Sequence, residues 1–256
     1  MMTNKDILQI AMEQSALDIN CKTSDFFCDH HIIVRSGVKE GARKYYKEPI
    51  PCNLVSYGNN IVASVQDAYR EIVEEFLQRY EFYHCFETPN LYWLNEKLEA
   101  AGQKICFMAE YYLPDIEKLH ALSCDYKMVI LKQSDFVNLY QHEWKNALCS
   151  ERKELDILGV GAYDSGKLVG LAACSADCDT MWQIGVDVLP KYRRKKIASA
   201  LTSTLAIEIL KRDKVPFYCS AWSNLRSVRN AIKSGFIPSW VEMTVKPKST
   251  VEKLLE

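Results

Sequence analysis

The 256-residue chain predicts an α/β protein in two parts, and three observations carry that expectation. Short β-branched runs alternate with segments of helical period along most of the length, the pattern of sheets covered by helices. The composition is 48% hydrophobic and 25% charged, with only 10 Gly and 8 Pro, which excludes collagen-like, low-complexity and disordered chains. Charge divides near Asp125: residues 1–125 hold 12 Lys and Arg against 19 Asp and Glu, while residues 126–256 hold 20 against 14, within a net charge of −1. The expected domains are therefore 1–125 and 126–256, and the second half is expected to meet an anion.

In the first half, residues 4–17 predict a helix, after which the pattern is mixed through Cys28, His30 and His31 and around Pro49 and Pro51. Residues 60–65 are a β-branched apolar run and read as a buried strand. Residues 67–80 place Ile72, Val73, Phe76, Leu77 and Tyr80 at helical spacing, and the aromatic run from Phe82 to Phe86 reads as a strand. Thr88 as a cap and Pro89 in the first turn start a helix over 90–101, which Gly102 stops. Residues 105–113 predict another strand, closed by Pro114.

In the second half, residues 128–131 read as a strand, and a helix capped by Ser134 is expected to run through Phe136, Leu139, Tyr140 and Trp144. Two apolar runs, 158–163 and 167–175, flank Asp164, Ser165 and Gly166, a strong hairpin signal. A strand over 182–188 ends at Pro190. Ile197, Leu201, Leu205 and Ile209, four apart, define a helix that finishes near Lys211 and Arg212. A strand over 215–221, a helix over 224–234 stopped by Gly235, and a strand over 236–245 complete the order β-α-β-β-β-α-β-α-β.

The chemistry concentrates in Val188-Leu189-Pro190-Lys191-Tyr192-Arg193-Arg194-Lys195-Lys196-Ile197-Ala198, where a strand ends, a basic turn follows and a helix opens. A helix N-terminus presents unpaired N–H groups and partial positive charge, which together hold a phosphate. Neither G-x-G-x-x-G nor G-x-x-x-x-G-K-[ST] occurs here. Gly159-Val160-Gly161 falls inside a predicted strand and reads as packing.

These residues resemble the GNAT superfamily of acyl-coenzyme A-dependent N-acetyltransferases over about 126–246. Val188, Pro190, Arg193 and Ala198 match its pattern V-x-P-x-x-[RQ]-x-x-G-x-[GA], and Asn224, Ser227, Gly235 and Phe236 match a second block. The resemblance implies a mixed, mostly antiparallel sheet with flanking helices in the C-terminal half. It implies an enzyme that moves an acetyl group from acetyl-CoA to the amine of a small-molecule acceptor, by direct attack and without a metal. Backbone groups of Val186 and Val188 would pair with the pantetheine arm, in a gap between strands 182–188 and 216–221. The N–H groups from Arg194 through Lys195, Lys196 and Ile197 to Ala198 would cradle the pyrophosphate beside Arg193. Asn224 would hold the arm near the thioester, and a Val188 N–H would take the oxyanion.

Three positions depart from the family. Lys196 stands where a glycine is usual, which a side chain tolerates if the residue is helical. Ala231 replaces a tyrosine that protonates the leaving thiolate, and Ser227, four residues earlier on the same helix face, is the expected substitute. Trp182 replaces a glutamate base, for which Asp177, Asp179, Asp187 and Glu242 are alternatives within the sequence. The first half, in which strand, helix, aromatic strand, helix and strand repeat the last five elements, reads as a degenerate copy of the fold that helps wall the acceptor site. It lacks the basic turn, since Gln66 and Asp67 stand there.

Other readings fare worse. Cys28-Asp29-His30-His31 lacks the second ligand pair of a zinc site. Cys174 and Cys178 are not a C-x-x-C redox pair and read as core and loop thiols, and Cys219 reads as packing. Ten cysteines are too few for a stapled secreted scaffold. No stretch approaches the ~18 apolar residues of a membrane span, and Asp6, Glu13 and Asp18 oppose a secretory signal. A cytoplasmic protein is expected, with neither membrane nor nucleic acid as partner, because the basic residues are confined to one loop. A non-catalytic acyl-CoA binding or sensing protein is the alternative to the transferase, and the acidic first half favours a cationic acceptor such as a polyamine or an aminoglycoside-like compound.

Overall fold

The strand and helix periods of the sequence materialise as ten strands and six α-helices among residues 2–254, the part of the chain that the computed structural model describes. In chain order these are α1 (Asn4–Asp18), β1 (Ile32–Arg35), β2 (Cys52–Ser56), β3 (Val62–Val65), α2 (Arg70–Arg79), α3 (Thr88–Ala100), β4 (Gln103–Pro114) and β5 (Lys127–Lys132). There follow β6 (Asp156–Asp164), β7 (Lys167–Ser175), β8 (Met181–Val188), α4 (Ile197–Leu210), β9 (Val215–Ser220), α5 (Leu225–Lys233), β10 (Phe236–Pro247) and α6 (Lys248–Lys253). The hairpin between β6 and β7 closes on Ser165 and Gly166, with φ of 49° and 85°, the two left-handed residues that match strand twist.

Two predicted elements take another form. The aromatic run is a 3-10 turn, Phe82–His84, because its rings pack on one another: Phe82 on Tyr83 at 5.4 Å and Tyr83 on His84 at 4.3 Å. The five-element repeat of the first half therefore lacks its middle strand. The helix expected from Ser134 is instead two 3-10 turns, Gln133–Phe136 and His142–Trp144. Tertiary contacts override its period: the Asp135 carboxylate holds the Lys132 N–H at 2.8 Å, and farther on Asp187 draws the backbone of Asn146 and Ala147 onto β8. A smaller shift occurs in α3, where Thr88 is already helical and Glu87 occupies the cap. Strands β1 and β2 and helix α6 have no counterpart in the expectation, since β2 is too short and too polar to stand out. Its Asn53 and Ser56 are nevertheless buried, bonded to Glu242 and to the Asn60 carbonyl.

The chain divides into two compact units, one of Met1–Ala11 with Tyr111–Pro238 and the other of Met12–Glu110 with Ser239–Glu256. Both are built from separated stretches, and Asp125 lies inside the first. In the first unit β5, β6, β7 and β8 follow one another antiparallel, and β9 joins β8 in parallel. Helix α4 lies on this sheet with Ile197, Leu201, Leu205 and Ile209 fully buried, each contributing ~1.5–3 kcal/mol by removal from water. Its first turn can approach β7 because residue 170 is glycine: a Cβ there would stand 2.7 Å from Ile197 Cγ2. Gly159 and Gly161 do pack, since a Cβ would meet the Ala172 carbonyl at 2.9 Å and Leu168 at 2.8 Å respectively.

The second unit pairs β1 with β3 in parallel, and β3 with β2 and β2 with β10 antiparallel. Val73, Phe76 and Leu77 of α2 and Leu94 and Leu98 of α3 close over it. A charge cluster lies within the unit, where Arg43 approaches Asp18 at 3.2 Å and Glu242 at 3.7 Å, all three side chains being at most 5% exposed. No described helix is long and apolar enough to cross a membrane.

Candidate functional site

The β7–β8 ladder decides which way the backbone of β8 faces. Gly170 lies opposite Val188 and Ala172 opposite Val186, and Leu189 donates its N–H to the Val169 carbonyl at 3.0 Å. Bonded and non-bonded pairs alternate in an antiparallel ladder, so Gly185, Asp187 and Leu189 turn their backbone groups to β7. Those of Ile184, Val186 and Val188 turn the other way. On that side β9 accompanies β8 only from Met181 to Gln183, opposite Val215 to Phe217. Beyond this rung the two strands part, and the N–H and C=O groups of Val186 and Val188 face the gap.

At the end of β8 the turn from Pro190 to Tyr192 is closed by the N–H groups of Tyr192 and Arg193, bonded to the carbonyls of Leu189 and Pro190. Arg194 and Lys196 follow, both at φ 63°. Lys196 is the cap residue of α4 and its side chain makes no cap bond, so the N–H groups of Ile197, Ala198 and Ser199 open the helix without a carbonyl behind them. The condition under which a side chain is tolerated without strain, a helical Lys196, is therefore not met. The residue occupies the left-handed conformation that favours glycine, at a cost of ~1–2 kcal/mol. Lys196→Gly should therefore raise stability by about 1 kcal/mol in urea unfolding; a loss of stability would show that the lysine stem has compensating contacts.

The basic side chains divide in their use. Arg193 donates from Nε to the Val188 carbonyl at 3.1 Å. Lys195 donates to the Tyr126 hydroxyl at 3.1 Å and lies 5.2 Å from the Tyr192 ring centre. Arg194 and Lys196 are exposed beside the open N–H groups. The charges of Arg194 and Lys196 and the helix N-terminus thus face solvent together, a fitting receptor for a diphosphate.

After β9, Asn224 caps α5, its side-chain oxygen accepting the Ser227 N–H at 3.3 Å. Ser227 Oγ lies 2.6 Å from the Tyr218 hydroxyl. Sequence reasoning misses Tyr218, because a tyrosine within an apolar strand carries no signal beyond packing. Ala231, one turn after Ser227, is fully buried in the same core cluster as Tyr218 and Phe236.

Three of the four alternative carboxylates are committed to structure. Asp177 is buried against Arg152 at 2.7 Å and Ser175 at 3.0 Å. Asp187 accepts the N–H groups of Asn146 and Ala147 and the Asn146 amide, holding that loop where Gly185 leaves space for the Asn146 carbonyl. Glu242 accepts from Tyr46 at 2.7 Å and Asn53 at 2.9 Å. Asp179 is exposed, and Trp182 packs half-buried on the core under α4. Of the remaining candidates, His31 Nδ1 accepts the Ile61 N–H at 3.1 Å and His30 bonds Asp29. Cys174 and Cys178 are both buried, Cys178 being bonded to the backbone of Met181. Gln183 donates to Cys219 Sγ at 3.1 Å.

The parted strands β8 and β9 thus lead to a basic helix N-terminus, an arrangement suited to an anionic ligand. The family comparison is specific: a family model described as GNAT acetyltransferase matches residues 55–240, more than half of the chain, and the protein belongs to that family. No protein of curated function matches. Similar solved structures include a GCN5-related N-acetyltransferase-like protein from Streptococcus suis, 16% identical over 73% of this chain and 71% of that one, with a TM-score of 0.45. A GCN5-related N-acetyltransferase from Kribbella flavida is 14% identical over 61% of this chain and 63% of that one, with a TM-score of 0.46. The aminoglycoside N-acetyltransferase AAC(6')-Iy, in a complex with CoA, is 15% identical over 47% of this chain and 93% of that one, with a TM-score of 0.36. The chain thus spans 63% of the length of the Kribbella flavida protein, and it spans 57% of that of an acetyltransferase from the GNAT family from Colwellia psychrerythraea.

Proposed function

We propose that the protein is an N-acetyltransferase that moves the acetyl group of acetyl-CoA to the amine of a small-molecule acceptor. The observation that carries this reading is the parting of β8 and β9 after Gln183 and Phe217, with the backbone of Val186 and Val188 facing the gap and the α4 N-terminus beyond it. Backbone groups of Val186 and Val188 hold the amide-bearing arm, and the N–H groups from Arg194 to Ala198 hold the pyrophosphate with the Arg194 and Lys196 charges. Arg193 and Lys195 brace the turn through Val188 and Tyr126. The cradle accommodates the coenzyme because its N–H groups are open and its exposed side chains are basic.

Acetyl-CoA supplies an acyl carbon activated by the thioester. The Val188 N–H donates to the oxyanion that forms when the amine attacks, Asn224 orients the arm with its amide, and the Ser227 hydroxyl donates to the sulfur as it leaves. With Asp177, Asp187 and Glu242 held in other bonds, the acceptor gives its proton to solvent before attack. The test is thiol release from acetyl-CoA across a panel of polyamines and aminoglycosides. Ser227→Ala is expected to lower turnover about tenfold at saturating acetyl-CoA, the worth of one hydrogen bond to a charge; unchanged turnover would remove Ser227 from the mechanism. The same commitment of carboxylates, with Ala231 and Trp182 at the departing positions, favours a second reading as a non-catalytic acyl-CoA sensor, which would bind the coenzyme and release no thiol.

A further inference from the structure

The Ser227 hydroxyl has a partner that comes from a different element. Tyr218 reaches from β9 to within 2.6 Å of Ser227 Oγ, while Asn230, on the same helix as Ser227, donates its amide to Thr202 Oγ1 at 3.0 Å. Tyr218 is only 4% exposed, so its own proton requires an acceptor within the protein. Ser227 Oγ, 2.6 Å away, is that acceptor. The direction of the bond then follows: Tyr218 donates, Ser227 accepts, and the Ser227 proton is turned away from Tyr218, toward the open side of this half-buried residue.

We infer that Tyr218 is a positioning residue that fixes the Ser227 hydroxyl as a hydrogen-bond donor to the sulfur of bound coenzyme A. The inference rests on the coenzyme reading above. It assigns to a strand residue the orientation of the only hydroxyl that the Asn224–Ala231 stretch of α5 presents, since Ala231 carries none. In the reaction the carbon–sulfur bond breaks with its electron pair remaining on sulfur, and the carbon–nitrogen bond forms. The amine proton passes to solvent, and the thiolate, held by Ser227 Oγ–H, is later protonated from solvent. Transfer of the phenol proton itself is disfavoured: burial holds Tyr218 above its ordinary value of 10.0, whereas a thiol lies near ~8.5.

Coenzyme A alone is the probe. Its thiolate absorbance is titrated against pH on wild type, Tyr218→Phe, Ser227→Ala and the double variant, with each protein alone subtracted and binding followed by calorimetry. Tyr218→Phe, which keeps the ring packing, should raise the pKa of the bound thiol by about half to one unit, or three- to tenfold in thiolate at fixed pH. Ser227→Ala should raise it at least as far, and the double variant no farther than Ser227→Ala. A Tyr218→Phe titration identical to wild type would overturn the inference, as would a double variant that exceeds Ser227→Ala. If Tyr218→Phe does not fold, a wild-type titration from Ser227→Ala overturns it equally. Wild type that fails to bind coenzyme A would overturn the coenzyme reading and this inference together, an outcome distinct from binding with an unmoved thiol.

Discussion

Coenzyme A is expected to bind the wild-type protein with micromolar affinity, and the Arg194→Glu, Lys196→Glu variant to bind at least about 100-fold more weakly. Each of these side chains is exposed beside the open N–H groups of α4, and a hydrogen bond to a charged group contributes ~1.5–3 kcal/mol. Loss of two such bonds at the lower value is ~3 kcal/mol, or about a hundredfold in affinity. Reversal adds repulsion of the diphosphate to that loss. Arg193→Ala should cost less, because its Nε is already bound to the Val188 carbonyl. Calorimetry with coenzyme A checks both, and equal affinity in wild type and the reversed variant would mean that the cradle is elsewhere.

The second large effect is on stability. Arg43 is 1% exposed and stands between Asp18 and Glu242, which are themselves buried. Arg43→Met is expected to cost ~3–5 kcal/mol in urea unfolding at pH 8, because it leaves buried carboxylates without their cation. The loss should shrink at pH 5. Burial raises the Asp18 pKa while the Arg43 charge and N–H oppose that rise. A carboxylate with a raised folded pKa contributes stability that is complete below its unfolded value, near ~3.9, and is lost as pH climbs through the folded value. Removal of Arg43 lifts that folded value further, so the variant is weakest at neutral and alkaline pH. A loss below about 1 kcal/mol at both pH values would show that the cluster relaxes or admits water.

The local signals were strongest where one interaction range suffices. Ile197, Leu201, Leu205 and Ile209 place α4 because a helical period needs only neighbours three and four apart. The pair Ser165 and Gly166 places the β6–β7 hairpin because the turn is two residues long. The basic strand–turn–helix from Val188 to Ala198 was equally legible, since the motif and the geometry it requires occupy the same eleven residues. The segment 133–148 failed for the converse reason. Its apolar spacing is helical, yet Asp187, some 40 residues away in sequence, takes the N–H groups of Asn146 and Ala147 and fixes another path.

The amino-acid sequence by itself determined the family, the basic helix N-terminus and the run of elements from β6 to β10, because each is written in residues close along the chain. Tertiary structure alone decided the left-handed backbone of Lys196, the commitment of Asp177, Asp187 and Glu242 to other partners, and the bond between the Tyr218 and Ser227 hydroxyls. A hydrogen bond depends on distances of a few tenths of an ångström between atoms from different elements, and no spacing along the chain encodes such a distance.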